Sequence, residues 1–115
     1  MLYKYNMSSA AEDDLVFKAL ADPRRREILD LLKNKPRKTG ELCAHFGGAI
    51  DRCTVMQHIG VLERADLVIA RREGRLRWNY LNAAPFKRIY DRWISPYAAE
   101  AVELLARMKR EMERA

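Results

Sequence analysis

The chain has 115 residues, 49% apolar and 33% charged, a balance that suits one ordinary globular core and leaves no room among these residues for a separate catalytic domain. Its net charge of +6 favours a polyanionic partner, a bias shared with ribosomal, RNA-binding and membrane-surface proteins. No apolar run approaches the ~20 residues of a membrane span, and the opening stretch with Lys4, Ser8, Ser9, Glu12, Asp13 and Asp14 has no signal-peptide core, so a cytoplasmic protein is expected.

In chain order, Ser9 and Glu12 have the spacing of a capping box, followed by Leu15, Val16, Ala19 and Leu20 on one stripe, which predicts a helix over about 10–22. Asp22-Pro23 opens the next helix, with proline in the first turn where its missing amide does no harm, and Ile28, Leu29 and Leu32 form its inner face. The charge changes sign between these helices. Residues 12–22 hold one Lys against four acids, whereas residues 23–38 hold seven basic residues against two acids. Lys33, Lys35, Arg37 and Lys38 lie where phosphate contacts would set register. Arg25 and Arg26 have two readings, phosphate contact or pairing with Asp22, Asp30 or a C-terminal acid.

Residues 38–65 change period in the manner of a helix-turn-helix. Thr39 offers a hydroxyl cap, Leu42 and Phe46 lie one turn apart, and Gly47-Gly48 stops the helix. Asp51 caps a second helix whose inward stripe is Val55, Ile59 and Leu62, leaving Thr54, Met56, Gln57, His58 and Gly60 outside. A helix of this diameter fits the major groove of B-DNA, and those outward residues include groups able to reach base edges. Residues 67–82 then read as a hairpin turning at Gly74, with Leu76, Trp78 and Tyr80 predicted inward and Arg75, Arg77 and Asn79 outward. Four Arg against one Glu between residues 71 and 77 would press the tip on phosphate or enter a minor groove. A solvated charged turn is the plain alternative. The expected fold is mainly α with a small β-hairpin, a single winged helix-turn-helix domain over 1–115.

Pro85 and Pro96 each begin a helical run. From Ala101 the residues Ala101, Leu105, Met108 and Met112 repeat at spacings of 4, 3 and 4, with Glu103, Arg107 and Glu111 outside the seam. One small domain cannot easily bury such a seam. The expectation is a homodimer joined by helices at about 10–22 and 85–115, through Leu15, Tyr90, Trp93, Tyr97 and the seam; packing on the same protomer is the alternative.

The runs Leu20-Ala21-Asp22-Pro23-Arg24-Arg25-Arg26-Glu27-Ile28-Leu29, Gly40-Glu41-Leu42, Thr54-Val55-Met56-Gln57-His58-Ile59, Val61-Leu62-Glu63-Arg64-Ala65-Asp66-Leu67-Val68 and Arg72-Glu73-Gly74-Arg75 resemble the arsenical-resistance repressor (ArsR) family of bacterial winged-helix regulators. The resemblance runs from about Leu15 to Arg107. It implies a homodimeric, sequence-specific DNA-binding transcription factor, most often a repressor, acting at an inverted repeat. Carried over by position, it implies recognition-helix contacts from Arg52, Thr54, Gln57 and His58 and wing contacts from Arg72, Arg75 and Arg77. Ile89 to Tyr97 is similar to a sub-branch without obvious metal ligands. Two positions depart from the pattern: Met56 stands where the family commonly has Ser, and Asp66 where it commonly has Gly, which requires a residue tolerant of left-handed backbone.

Cys43 and His45 point roughly 200° apart on a helix, and Cys53 and His58 are the nearest further ligands of their type. No metal or cofactor is expected, with Cys43 filling an apolar slot and a Cys43–Cys53 disulfide unsupported. His58 is expected outside, where protonation would strengthen binding, because Val55, Ile59 and Leu62 already define the inner stripe; capping or packing against the preceding helix is the alternative. No phosphate loop or nucleophile motif suggests an enzyme. The rival reading is a winged-helix module for protein or RNA, which would need an exposed apolar or stacking surface. The sequence names no effector.

Overall fold

The computed structural model describes residues 7–114, in the order α1 (Met7–Leu20), α2 (Pro23–Leu32), β1 (Arg37–Lys38), α3 (Thr39–Phe46), α4 (Arg52–Arg64), β2 (Val68–Glu73), β3 (Leu76–Leu81), α5 (Ala84–Ile89), a π-turn (Tyr90–Ile94) and α6 (Ser95–Arg114). Residues 1–6, Lys4 included, lie outside the described residues, as does the side chain of Ser9. The fold is mainly helical with a small antiparallel sheet, as expected. The described residues group into two compact units, divided between Pro85 and Phe86.

In the first unit, α1 starts upstream of the expected cap, so Ser9 is inside the helix. Val16 and Ala19 are fully buried, while Leu15 and Phe17 are exposed. Asp22 caps α2 by accepting the Arg24 amide at 2.8 Å, and Ile28, Leu29 and Leu32 are buried on its inner face. The last carbonyls of any helix lack partners within it, and here arginines from the next helix supply them. Arg25 Nε donates to Ala19 O at 2.8 Å, Arg25 Nη2 to Lys18 O at 2.9 Å, and Arg26 Nη1 to Leu20 O at 2.6 Å. Arg25 also lies 4.0 Å from the Asp22 carboxylate. Arg25 thus makes the expected pairing with Asp22, and Arg26, exposed, holds the Leu20 carbonyl where an acid is expected.

The cap of α3 differs from expectation. Lys38 is the N-cap residue, and its amide donates to the Glu41 carboxylate at 2.9 Å. The Thr39 hydroxyl is buried instead, donating to Arg77 O at 3.4 Å and accepting from Asn79 Nδ2 at 3.1 Å. Gly47 closes the helix in the left-handed conformation, φ 56°, which costs glycine little. Asp66, φ 63°, is the one non-glycine residue with positive φ among those described, and the Asn82 amide holds its carbonyl at 2.9 Å.

The three-stranded sheet has the order β1-β3-β2, all neighbours antiparallel, with Val68 opposite Leu81 and Glu73 opposite Leu76 across the hairpin. Its inner face is the reverse of the predicted one. Asn79 is fully buried, whereas Leu76 is 45% exposed and Trp78 and Tyr80 are half-buried. A buried amide costs free energy unless hydrogen-bonded, and Asn79 Nδ2 finds Arg37 O at 3.2 Å as well as Thr39. The Lys38 ammonium lies 5.5 Å from the centre of the Trp78 ring.

The second unit corrects another boundary. Pro96 does not begin a helix of its own; the chain is already helical at Ser95, whose amide reaches five residues back to the Tyr90 carbonyl. Proline crowds the preceding helical turn, and the widened turn ahead of Pro96 relieves that crowding. α6 has no buried residue, and Leu105, Met108 and Met112 are 63%, 50% and 73% exposed.

Candidate nucleic-acid interface

The Asp51 carboxylate accepts the Thr54 amide at 2.7 Å, which starts α4 and holds the Asp51 carboxyl below its ordinary pKa. Val55, Ile59 and Leu62 are completely buried and fix the rotation of the helix. At 100° per residue this leaves Cys53, Gln57 and Arg64 at the centre of the free face, all exposed. Arg52, Met56 and Glu63 fall on one flank and Thr54 and His58 on the other. The contacts agree with that geometry.

On the Thr54 flank, His58 Nδ1 is 3.2 Å from Arg25 Nη1, and Nε2 is buried without a hydrogen-bond partner among the described residues. The expected outward histidine is therefore packed against α2. Burial lowers its pKa and the nearby Arg25 and Arg24 charges add to that, outweighing Asp22. Burial alone would raise the Asp22 carboxyl, but the Arg24 amide and the charges of His58 and Arg25 bring it below its usual value.

On the other flank, Glu63 accepts a hydrogen bond from Arg77, so the base of the wing is tied to the end of α4. Arg77 is half-buried and its Nε has no hydrogen-bond partner among the described residues. Beyond this tie an open cleft of about 360 Å³ separates α4 from the wing, lined by Lys38, Thr39, Gly40, Arg52, Met56, Arg72, Arg75, Leu76 and Arg77. Arg52, Arg72 and Arg75 are exposed. With Lys38 they make the cleft positively charged.

Of the sequence-predicted contacts, Lys38, Arg52, Arg72, Arg75 and Arg77 come together in this cleft. Gln57 is exposed on the free face of α4, Thr54 is half-buried at its start, and His58 is turned away. Sequence reasoning passed over Cys53, although its place one turn before Gln57 put it on the same face. It also left out Met56, Gly40 and Leu76 as cleft walls, because that depends on where the wing folds back. Leu15, Tyr90, Trp93, Tyr97, Ala101, Leu105, Met108 and Met112 are all exposed. Cys43 is half-buried and Cys53 exposed, and among the described residues no three His, Cys, Asp or Glu side chains are grouped to hold a metal. No helix among those residues is long and apolar enough to cross a membrane.

Residues 20–70 match a family model described as a helix-turn-helix domain. The chain is 37% identical over 67 residues to the transcriptional repressor SdpR of Bacillus subtilis, covering 58% of this chain and 72% of the relative. It is 37% identical over 81 residues to the arsenical resistance operon repressor of Staphylococcus aureus, covering 66% and 71%. A homodimeric winged helix-turn-helix DNA-binding domain from Mycobacterium bovis superposes with a TM-score of 0.65 at 27% identity, over 88% of this chain and 91% of that one. The match in fold and the kinship with these repressors agree with the motifs, and the chain belongs to the ArsR family of winged helix-turn-helix transcriptional regulators, proteins that bind DNA.

Proposed function

We propose that the chain acts as a cytoplasmic homodimeric repressor, without enzymatic activity or a metal cofactor, that binds an inverted-repeat operator in duplex DNA. The observation that carries this reading is the positive cleft between α4 and the wing, with Lys38, Arg52, Arg72 and Arg75 around it. In this reading these residues hold phosphates, Gln57 reads a base edge and Thr54 supports it at the helix start. The two copies join through Leu15, Tyr90, Trp93, Tyr97 and the α6 seam, so that two recognition helices face successive turns of DNA. The repressor role follows the Bacillus and Staphylococcus repressors, and the homodimer follows the Mycobacterium domain.

Selection of bound sequences from random duplexes, with single-stranded RNA as competitor, tests it. The expected result is a palindromic site bound by a species of twice the chain mass; no enrichment at low ionic strength overturns the reading. Leu105→Glu should halve the mass and weaken operator binding, and an unchanged mass would remove the seam from the interface. One observation favours a second reading, a winged module for protein or RNA. The outer sheet face exposes Ile69 and Leu76 beside half-buried Trp78 and Tyr80, and preferential retention of the RNA competitor would support it.

A further inference from the structure

We propose that Met56 is a specificity-determining residue that reads the 5-methyl group of a thymine in the major groove. This inference rests on the duplex-binding reading above and extends it to one base. The walls of the α4–wing cleft differ in chemistry. Lys38, Arg52, Arg72 and Arg75 give it cationic groups suited to phosphate, while Met56 and Leu76 supply its large apolar side chains. Met56 stands one turn after Arg52 on the wing-side flank of α4, in the half of the helix that begins at the Asp51 cap. It is half-buried, in contrast to Val55 beside it, which has no exposed surface.

A thioether here has little use for phosphate. It is a weak acceptor with no proton to donate, so it cannot hold an anion or make the paired hydrogen bonds that identify guanine or adenine. Among the groups displayed in the major groove, the apolar one is the thymine methyl, the complement of a flexible, polarisable side chain. Gly40, at the start of α3, lies on the same cleft, and the space beside it is open. The arginines would hold the strand by its backbone while Met56 meets the base edge.

The test uses the full chain and the operator recovered from random duplexes, with each thymine replaced in turn by deoxyuridine, a change that removes only the methyl. In each half-site one of these single replacements should weaken binding about fourfold, the loss expected for one buried methyl. Met56→Ser should lose that sensitivity and bind the thymine and deoxyuridine operators alike, whereas Met56→Leu should retain it. The inference is overturned if deoxyuridine is neutral at every position, if the recovered site has no thymine beneath the recognition helix, or if Met56→Ser keeps the sensitivity. Failure to bind any duplex would overturn the duplex reading itself and the thymine reading with it.

Discussion

The two flanks of α4 are built for different work. Toward α2, His58 and Arg25 close the gap, and Arg25 goes on to hold the final carbonyls of α1. Toward the wing, Arg77 is tied to Glu63, and an open trough with exposed arginines lies beyond. One flank fixes α4 in the domain, and the other is left open and cationic. The contrast teaches that arginines near a helix-turn-helix divide into those that clamp the fold and those left exposed, and that local charge density does not sort them. Changes on the closed flank should appear in stability, and changes on the open flank in binding.

The largest expected effect is on the open side. Arg72→Ala with Arg75→Ala should weaken binding to specific and random duplexes alike, by about 10- to 100-fold near 0.1 M salt, and reduce the slope of log affinity against log salt by about 0.9 for each phosphate left without its arginine. Thermal stability should be unchanged, since both side chains are exposed. Anisotropy titrations over a salt series, with melting curves on the same samples, check both halves. An unaltered salt slope would remove the wing tip from the interface.

Next in size is the closed side. Arg25→Ala strips partners from the carbonyls of Lys18 and Ala19 and from His58. The Lys18 carbonyl keeps the Ala21 amide at 3.2 Å, and the part-buried Ala19 carbonyl and His58 Nδ1 lose their arginine, at a cost on the order of 1 kcal/mol, which for a domain of this size lowers Tm by roughly 5 °C. DNA affinity measured well below the transition should change little. Weak binding with an unchanged Tm would turn Arg25 from a clamp into a phosphate binder.

The same contrast explains which parts of the fold are legible in the sequence. The inner stripe of α4 is legible because a helix repeats its face over several turns, and Val55, Ile59 and Leu62 agree with one another and with the Asp51 cap. The wing strand is not. Strict alternation establishes that β3 has two faces, but which one turns inward depends on partners far along the chain. Thr39 and Arg37 O receive the Asn79 amide from about forty residues away. They reverse the choice that side-chain hydrophobicity alone would make for Trp78 and Tyr80. Arg77 escapes a reading from alternation for the same reason, because its partner Glu63 lies on a different element. The cationic cleft is legible in its members, Arg52, Arg72 and Arg75, and not in its apolar wall.

The smallest effect concerns acid. An outward His58 would gain affinity for DNA on protonation, but Nδ1 is engaged with Arg25 and Nε2 is buried, so the sequence-based expectation of acid-enhanced binding through this residue gives way to one about folding. Burial holds the folded His58 below its ordinary value of 6.5, with Arg25 and Arg24 adding to the effect and Asp22 opposing it. In the window between the folded and unfolded pKa values the unfolded chain carries more protons at this position. Its contribution to stability is therefore complete above about pH 6.5 and lost as pH falls through the folded value. Melting curves from about pH 7.5 to about pH 5.5, a range that brackets the ordinary histidine value, should show a steeper fall in Tm for the native chain than for His58→Gln. Parallel curves would mean that the imidazole titrates as freely in the folded protein as in the open chain, and that the closed flank does not shield it.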